Sequence, residues 1–276
     1  MSAQTETQPG VYLDYFGFTE RPFSTSPDPR FVYLTREHKA AIAKCRYAVG
    51  EGLGLTVVYG DIGTGKSTLA RLLYGQFHND GYLVAMLPNV LVGSDTQFLR
   101  AVCRAFHLPE ARSLLDMLDN LQSLLLDAFA RDQRVVLMVD EAQALTGPIL
   151  EVIRQILNFE SDATKLLQVA LFGQNELRGK IHRRKALRSR IAITSTLDPL
   201  PPEEVPNLIR YRMMVAGRRA ELFTPEAYER IFLASQGIPR AICIICDNAL
   251  LQAFLEARDI IEADIIDRVV QEIDLE

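Results

Sequence analysis

Leu55–Tyr59 is a short apolar, β-branched run that ends on Gly60, and Val135–Val139 is apolar at every position. Runs of this length without polar alternation predict strands buried on both faces. Tyr82–Leu87 and Leu166–Phe172 read as two further strands. Between them apolar positions recur with the helical period over Ser67–His78, Asp95–Phe106, Ser113–Ala130 and Pro148–Asn158. Strands alternating with helices predict an α/β fold: a mainly parallel central sheet flanked by helices on both sides.

The two ends of the chain read differently. Upstream, Thr35 caps a predicted helix over Arg36–Val49, and Tyr12–Leu34 is dense in aromatics and prolines (Phe16, Phe18, Phe23, Phe31; Pro22, Pro27, Pro29). Such a segment cannot form a long helix, yet it carries too much apolar surface for a free linker, so it is expected to pack onto the core. Downstream, Pro199, Pro201, Pro202 and Pro206 mark a boundary. Beyond it the pattern is helical throughout: Glu203–Ala216, Thr224–Ser235, Ile238–Glu256 and Glu262–Ile273. The expected organisation is a polar leader over 1–10, a core over 11–198 whose first part, 11–54, is a packing segment and helix, and a small all-helical domain over 199–276.

With 276 residues, 48% hydrophobic and 24% charged, the chain has ordinary globular composition. No apolar stretch is long enough to span a bilayer, and Met1–Gly10 has no basic or apolar signal region, so a cytoplasmic location is expected. Four scattered cysteines do not make a disulfide framework, and Cys243-x-x-Cys246 has no second ligand pair beside it, so both read as helix core. The net charge of −5 excludes a globally basic surface. Any anionic partner must be met locally.

The local chemistry is concentrated after the predicted strands. Gly60-Asp61-Ile62-Gly63-Thr64-Gly65-Lys66-Ser67 matches G-x-x-x-x-G-K-[ST] in full, after a predicted strand and before a predicted helix that continues with Thr68. Glycines let such a backbone curl so that successive N–H groups and the helix N-terminus face phosphates; Lys66 supplies positive charge and Ser67 a ligand for Mg²⁺. The run Val135–Val139 delivers Asp140 and Glu141 to the strand's end, where Asp140 can hold Mg²⁺ and Glu141 can deprotonate an attacking water. Together they point to binding and hydrolysis of a nucleoside triphosphate. Gln174, after the run Leu166–Phe172, is a candidate for contact with the γ-phosphate or the water.

Arg178–Arg190 gathers basic residues in an acidic chain. It reads either as a solvated helix face or as a functional surface, with Arg190 reaching a neighbouring subunit's nucleotide and Arg183, Arg184 and Lys185 meeting polynucleotide phosphate. Arg240, in Gly237-Ile238-Pro239-Arg240, sits in the first turn of a predicted helix, where the dipole disfavours a cation unless an anion is present.

With Phe16-Gly17-Phe18…Pro22-Phe23…Pro27-Asp28-Pro29-Arg30-Phe31, the loop Gly60–Ser67, Val139-Asp140-Glu141-Ala142-Gln143, Gly173–Leu177, Leu187–Ile191 and Gly237–Arg240, the sequence resembles the AAA+ ATPases of the ExeA/GspA-like group, related to the TnsC/TniB and IstB transposition ATPases. The resemblance implies a P-loop NTPase sheet with a helical lid, ATP and Mg²⁺ as cofactors, and a homo-oligomeric ring or filament. It implies Walker A roles for Lys66 and Ser67, Walker B roles for Asp140 and Glu141, sensor roles for Gln174 and Arg240, and an arginine finger at Arg190. Asn175 stands where relatives often have proline. Secretion-type members continue past the lid into a membrane span, whereas this sequence stops at Glu276. The expected role is therefore a switch in DNA transposition that assembles on double-stranded DNA and recruits transposase or target-selection partners. The alternative is an accessory ATPase of secretion or exopolysaccharide and envelope assembly.

Overall fold

The computed structural model describes residues 11–25, 28–89, 93–161 and 164–273. In chain order they form α1 (Val11–Phe16), α2 (Arg36–Gly50), β1 (Leu55–Gly60), α3 (Lys66–Asn79), β2 (Leu83–Leu87), α4 (Asp95–Ala105), α5 (Leu114–Ala130), β3 (Val135–Val139) and α6 (Gly147–Ile156). There follow β4 (Leu167–Gly173), α7 (Asn175–His182), α8 (Lys185–Arg188), β5 (Ile191–Leu197), α9 (Glu204–Val215), α10 (Pro225–Ser235), α11 (Pro239–Leu255) and α12 (Ala263–Glu272). They divide into two compact units, one running from Arg36 to Asp198 and one joining the chain up to Thr35 with the chain from Pro199.

The first unit is built on a five-stranded sheet of order β2-β3-β4-β1-β5. Every strand pair is parallel. β1, β3 and β4 are buried at every position, and alternate residues serve the two faces. Leu55, Val57, Leu137, Val139 and Leu171 pack into a cluster with α4, α5 and α6; Val58, Val136, Met138 and Phe172 pack with α2 and α3. Each such side chain contributes roughly 1.5–3 kcal/mol on burial, so the continuous apolar runs are what this sandwich requires. Thr56 and Gln168 are polar interruptions in these strands, and the longer is satisfied: Gln168 accepts from the Gly54 N–H and donates to the Lys165 carbonyl, both at 2.7 Å.

The sequence pattern misses β5. It is an edge strand whose outward positions Ala192, Thr194 and Thr196 are exposed, so it lacks the apolar continuity of the central strands. Within the basic segment, where a helix face was one of the two readings, the chain forms two short helices, α7 and α8.

The second unit corrects the expected organisation. Residues 11–35, expected to belong with the sheet in a core over 11–198, group with the C-terminal helices instead. Phe16, Phe18, Phe23 and Phe31 enter one apolar cluster with Val205, Ile209, Ile242 and Ile245. Phe23 meets Phe223 edge-on, with ring centroids 6.1 Å apart. The guanidinium of Arg212 donates to the carbonyls of Pro22 and Ser24 at 2.7 and 2.6 Å. Beyond α1 the prolines keep this segment from becoming a long helix, so the Pro22 and Ser24 carbonyls are taken by a side chain and not by a helical ladder. Cys243 and Cys246 are buried in the same cluster as core residues, and burial pushes both thiols up.

Phe23→Ala removes a ring that is 1% exposed. It should destabilise the helical unit by roughly 3–5 kcal/mol. Hydrogen exchange should then accelerate in α9–α12 and leave the amides of β1, β3 and β4 protected; a loss of protection in the sheet instead would place the segment with the other unit.

Candidate active site

In a parallel sheet every strand ends on the same edge, and the chemistry collects there. β1 ends at Gly60 and turns into the loop that opens α3. Gly63 and Gly65 have φ of 82° and 97°, in the left-handed region that glycine adopts freely. A Cβ on Gly65 would also lie 2.9 Å from Nε2 of His38. The loop closes on one carbonyl: Asp61 accepts from the Thr64 N–H at 3.3 Å, the Thr64 hydroxyl at 2.9 Å and the Lys66 ammonium at 2.7 Å. His38, on α2, donates from Nε2 to the Thr64 carbonyl at 3.1 Å, which fixes its tautomer. Burial holds its pKa below the ordinary value. The first-turn N–H groups of α3, at Lys66, Ser67 and Thr68, have no acceptor within the helix and mark its positive end.

β3 ends beside that turn. Asp140 is 4% exposed, accepts from the Glu141 N–H at 2.9 Å and has the Ser67 hydroxyl close by. Burial raises its pKa; Ser67, the Glu141 N–H and the charge of Lys66 oppose the rise, and the Glu141 carboxylate adds to it. Lys66 is also buried; desolvation lowers its pKa against the attraction of Glu141 and Asp140. Glu141 itself has φ 51°, a conformation that costs a non-glycine residue roughly 1–2 kcal/mol. The hydroxyl of Ser67 and the carboxylate of Asp140 are hard oxygen donors side by side, which suits Mg²⁺ completed by phosphate and water. Among the described residues there is no cluster of three or more His, Cys, Asp or Glu side chains able to hold a metal alone.

The loop after β4 adjoins both. The Gln174 N–H donates to Oε1 of Gln143 at 3.1 Å, while Nε2 of Gln143 donates to the Glu141 carboxylate. Asn175 donates to the Asp61 carboxylate at 2.6 Å, linking this loop to the phosphate loop. Sequence reasoning assigned no role to His38, Gln143 or Asn175. Gln143 was visible only as the last letter of Asp-Glu-Ala-Gln, and Asn175 only as a missing proline.

Comparison with known proteins agrees with this geometry. Residues 50–181 match the AAA domain family. Over 260 residues, 92% of this chain, the sequence is 37% identical to General secretion pathway protein A of Aeromonas hydrophila. The chain carries an AAA domain and is ExeA/GspA-like along most of its length. It spans 47% of that relative, about half its length. Among solved structures it is similar to the Aeropyrum pernix ORC2 protein in its ADPNP–ADP complexes (TM-score 0.69, 18% identity, 92% of this chain and 71% of the other). Cdc6p of Pyrobaculum aerophilum gives TM-score 0.70 at 16% identity, covering 92% of this chain and 71% of the other. The RuvB Holliday junction branch migration motor of Thermotoga maritima gives TM-score 0.58 at 19% identity, covering 93% and 74%. At these identities the structural likeness concerns the fold.

Within the sheet unit, Arg190 does not join the cluster around Lys66. Arg190 precedes β5, whose first residue pairs with Leu55 at the start of β1, whereas the phosphate loop follows Gly60 at the end. At roughly 3.3 Å per residue the seven residues of β5 separate the two by about 20 Å, beyond the reach of an arginine side chain. Arg240 lies in the other unit, exposed in the first turn of α11, after Gly237. There the chain turns at φ 74° against the Leu200 carbonyl, which a Cβ would approach to 2.0 Å.

The expected ridge Arg183-Arg184-Lys185 is broken by a helix junction. Arg183 ends α7, Arg184 donates back to the Lys180 carbonyl at 2.9 Å, and Lys185 opens α8. Arg178 sits over the Tyr59 ring and donates to Thr196 at 3.1 Å, and Lys180 is bound to main-chain carbonyls. Much of the basic run therefore serves the fold.

Gly65→Ala and Gly75→Ala separate the two uses of glycine in this region. Gly75, inside α3, has nothing within 4 Å of an added Cβ. Its replacement should stabilise by about 0.4–1 kcal/mol and keep nucleotide binding. Gly65→Ala should lose the nucleotide-induced rise in melting temperature, which at about 100 times Kd corresponds to about 2.7 kcal/mol. Thermal melting with and without ATP reads both.

Proposed function

We propose that the chain hydrolyses ATP with Mg²⁺ as an oligomeric switch and serves as an accessory ATPase of secretion or envelope assembly. The convergence of Lys66, Ser67, Asp140 and Glu141 at one sheet edge supports the chemistry. In this reading the curled loop and the first turn of α3 bind the phosphates, with Lys66 at the β/γ-oxygens. Ser67 and Asp140 would hold Mg²⁺, which neutralises charge on the phosphates. Glu141 takes the proton of the attacking water, and Gln174 orients the water or the γ-phosphate. Arg240 contributes from the helical unit to the same nucleotide.

Arg190 acts on a second copy's nucleotide, because the parallel sheet puts it on the edge away from its own. Such a site is incomplete in a single chain, so activity requires assembly. The likeness to a secretion-pathway protein favours the accessory role over transposition, and the interrupted basic ridge adds nothing to a DNA-bound reading. Among the described residues no helix is long and apolar enough to cross a membrane. The proposed location is the cytoplasm, where ATP is available.

Lys66→Ala should lose ATP binding, whereas Glu141→Gln should keep binding and lose turnover, both read with labelled nucleotide. Arg190→Ala should bind ATP normally and hydrolyse it slowly, since trans-acting arginines are worth about 10³–10⁵ in rate. Mixing Arg190→Ala with Glu141→Gln chains should restore part of the activity by forming sites that draw an intact half from each; no recovery in confirmed mixed oligomers would remove the trans role. For the cellular role, deleting the gene should impair export or envelope assembly, with rescue by wild type and not by Glu141→Gln. ATP-dependent affinity for duplex DNA without any such defect would return the reading to transposition.

A further inference from the structure

The carboxamide of Gln143 stands between the two loops on which the proposed hydrolysis depends. Its Nε2 donates to Oε2 of Glu141, and its Oε1 accepts from the main-chain N–H of Gln174 at 3.1 Å. A carboxylate only accepts and an N–H only donates, so the two partners fix which end of the amide is which. The flipped amide would set oxygen against oxygen and N–H against N–H.

The main chain of Gln143 is held as firmly. Nζ of Lys180 donates to its carbonyl and, at 3.1 Å, to that of Leu145. Gly173 leaves the room this needs: a Cβ there would lie 3.1 Å from the Gln143 nitrogen and 3.3 Å from Oε1. Glu141, by contrast, belongs to no regular element. It occupies a left-handed residue between β3 and a short 3-10 turn, so neither a strand nor a helix aims its side chain.

We propose that Gln143 is a positioning residue for hydrolysis: it holds the Glu141 carboxylate in the orientation that meets the attacking water and ties that orientation to the loop Gly173–Asn175. The proposal rests on the reading of Glu141 as the group that activates water. That loop is bonded to Asp61 of the phosphate loop through Asn175. One amide therefore closes a circuit from the Gly60–Ser67 loop through the β4 loop to the general base. Gln143 acts through Glu141 and is not itself assigned a contact with the nucleotide.

The test is steady-state hydrolysis and ATP affinity for the full chain as wild type, Glu141→Gln, Gln143→Ala and Gln143→Glu. Gln143→Glu keeps the shape and the acceptor for Gln174 but sets a carboxylate against Glu141. Both Gln143 variants should lose about 10–100-fold in kcat, the cost of misplacing a reacting group by about an ångström. KM, ATP affinity, melting temperature and assembly should stay at wild-type values. An unchanged or raised kcat in either variant, with Glu141→Gln inactive, overturns the role of Gln143 and leaves that of Glu141 standing. A parallel loss of ATP affinity also overturns it, since Gln143 would then act through the phosphate loop. If Glu141→Gln turns over normally, the reading of Glu141 falls and the positioning role falls with it.

Discussion

The parallel hydrogen-bond ladder of β1, β3 and β4 is the constraint on which the rest depends. Parallel pairing with helices on both faces leaves no wet side to the sheet, so these strands are buried along their whole length and apolar at nearly every position. Polar chemistry is thereby expelled to the strand ends. Because all the strands run the same way, the ends that carry Gly60, Asp140 and Gly173 fall on one edge. Residues far apart in the sequence become neighbours there without a single long-range side-chain contact having to specify it.

That edge is also where the protein departs from its own folding rules. A lysine and a carboxylate are buried with their pKa values displaced toward neutrality, and a glutamate takes a left-handed backbone. Each is unfavourable taken alone. The apolar sandwich behind them supplies the stability that tolerates them, and a highly charged ligand is the natural complement to a buried ammonium next to unpaired helix N–H groups.

Hydrogen bonds between loops then decide how those groups act together. Asp61 with Asn175, and Gln143 with both Glu141 and Gln174, turn three separate strand ends into one connected surface. The helical unit shows the same division between local pattern and tertiary choice. Its aromatic segment was recognisable as something that must pack, but its partner is the C-terminal helices, because their apolar faces match its rings and Arg212 its carbonyls.

From the sequence by itself came the buried strands, the helices between them and the phosphate loop, because each rests on local periodicity and on residue types that tolerate few backbones. The Asp140–Glu141 pair was legible only in company: carboxylates after a strand are most often a solvated turn, and it is the complete Gly60–Ser67 motif upstream that gives them a use. Only the tertiary structure decided the membership of residues 11–35, the edge strand β5, the breakup of the Arg183–Lys185 ridge and the linking role of Gln143. Apolar surface reports that a segment will be buried and not against what, since the hydrophobic effect has no direction. A glutamine amide carries no signal in a sequence window at all; its meaning lies in which donor and which acceptor the fold sets on either side of it.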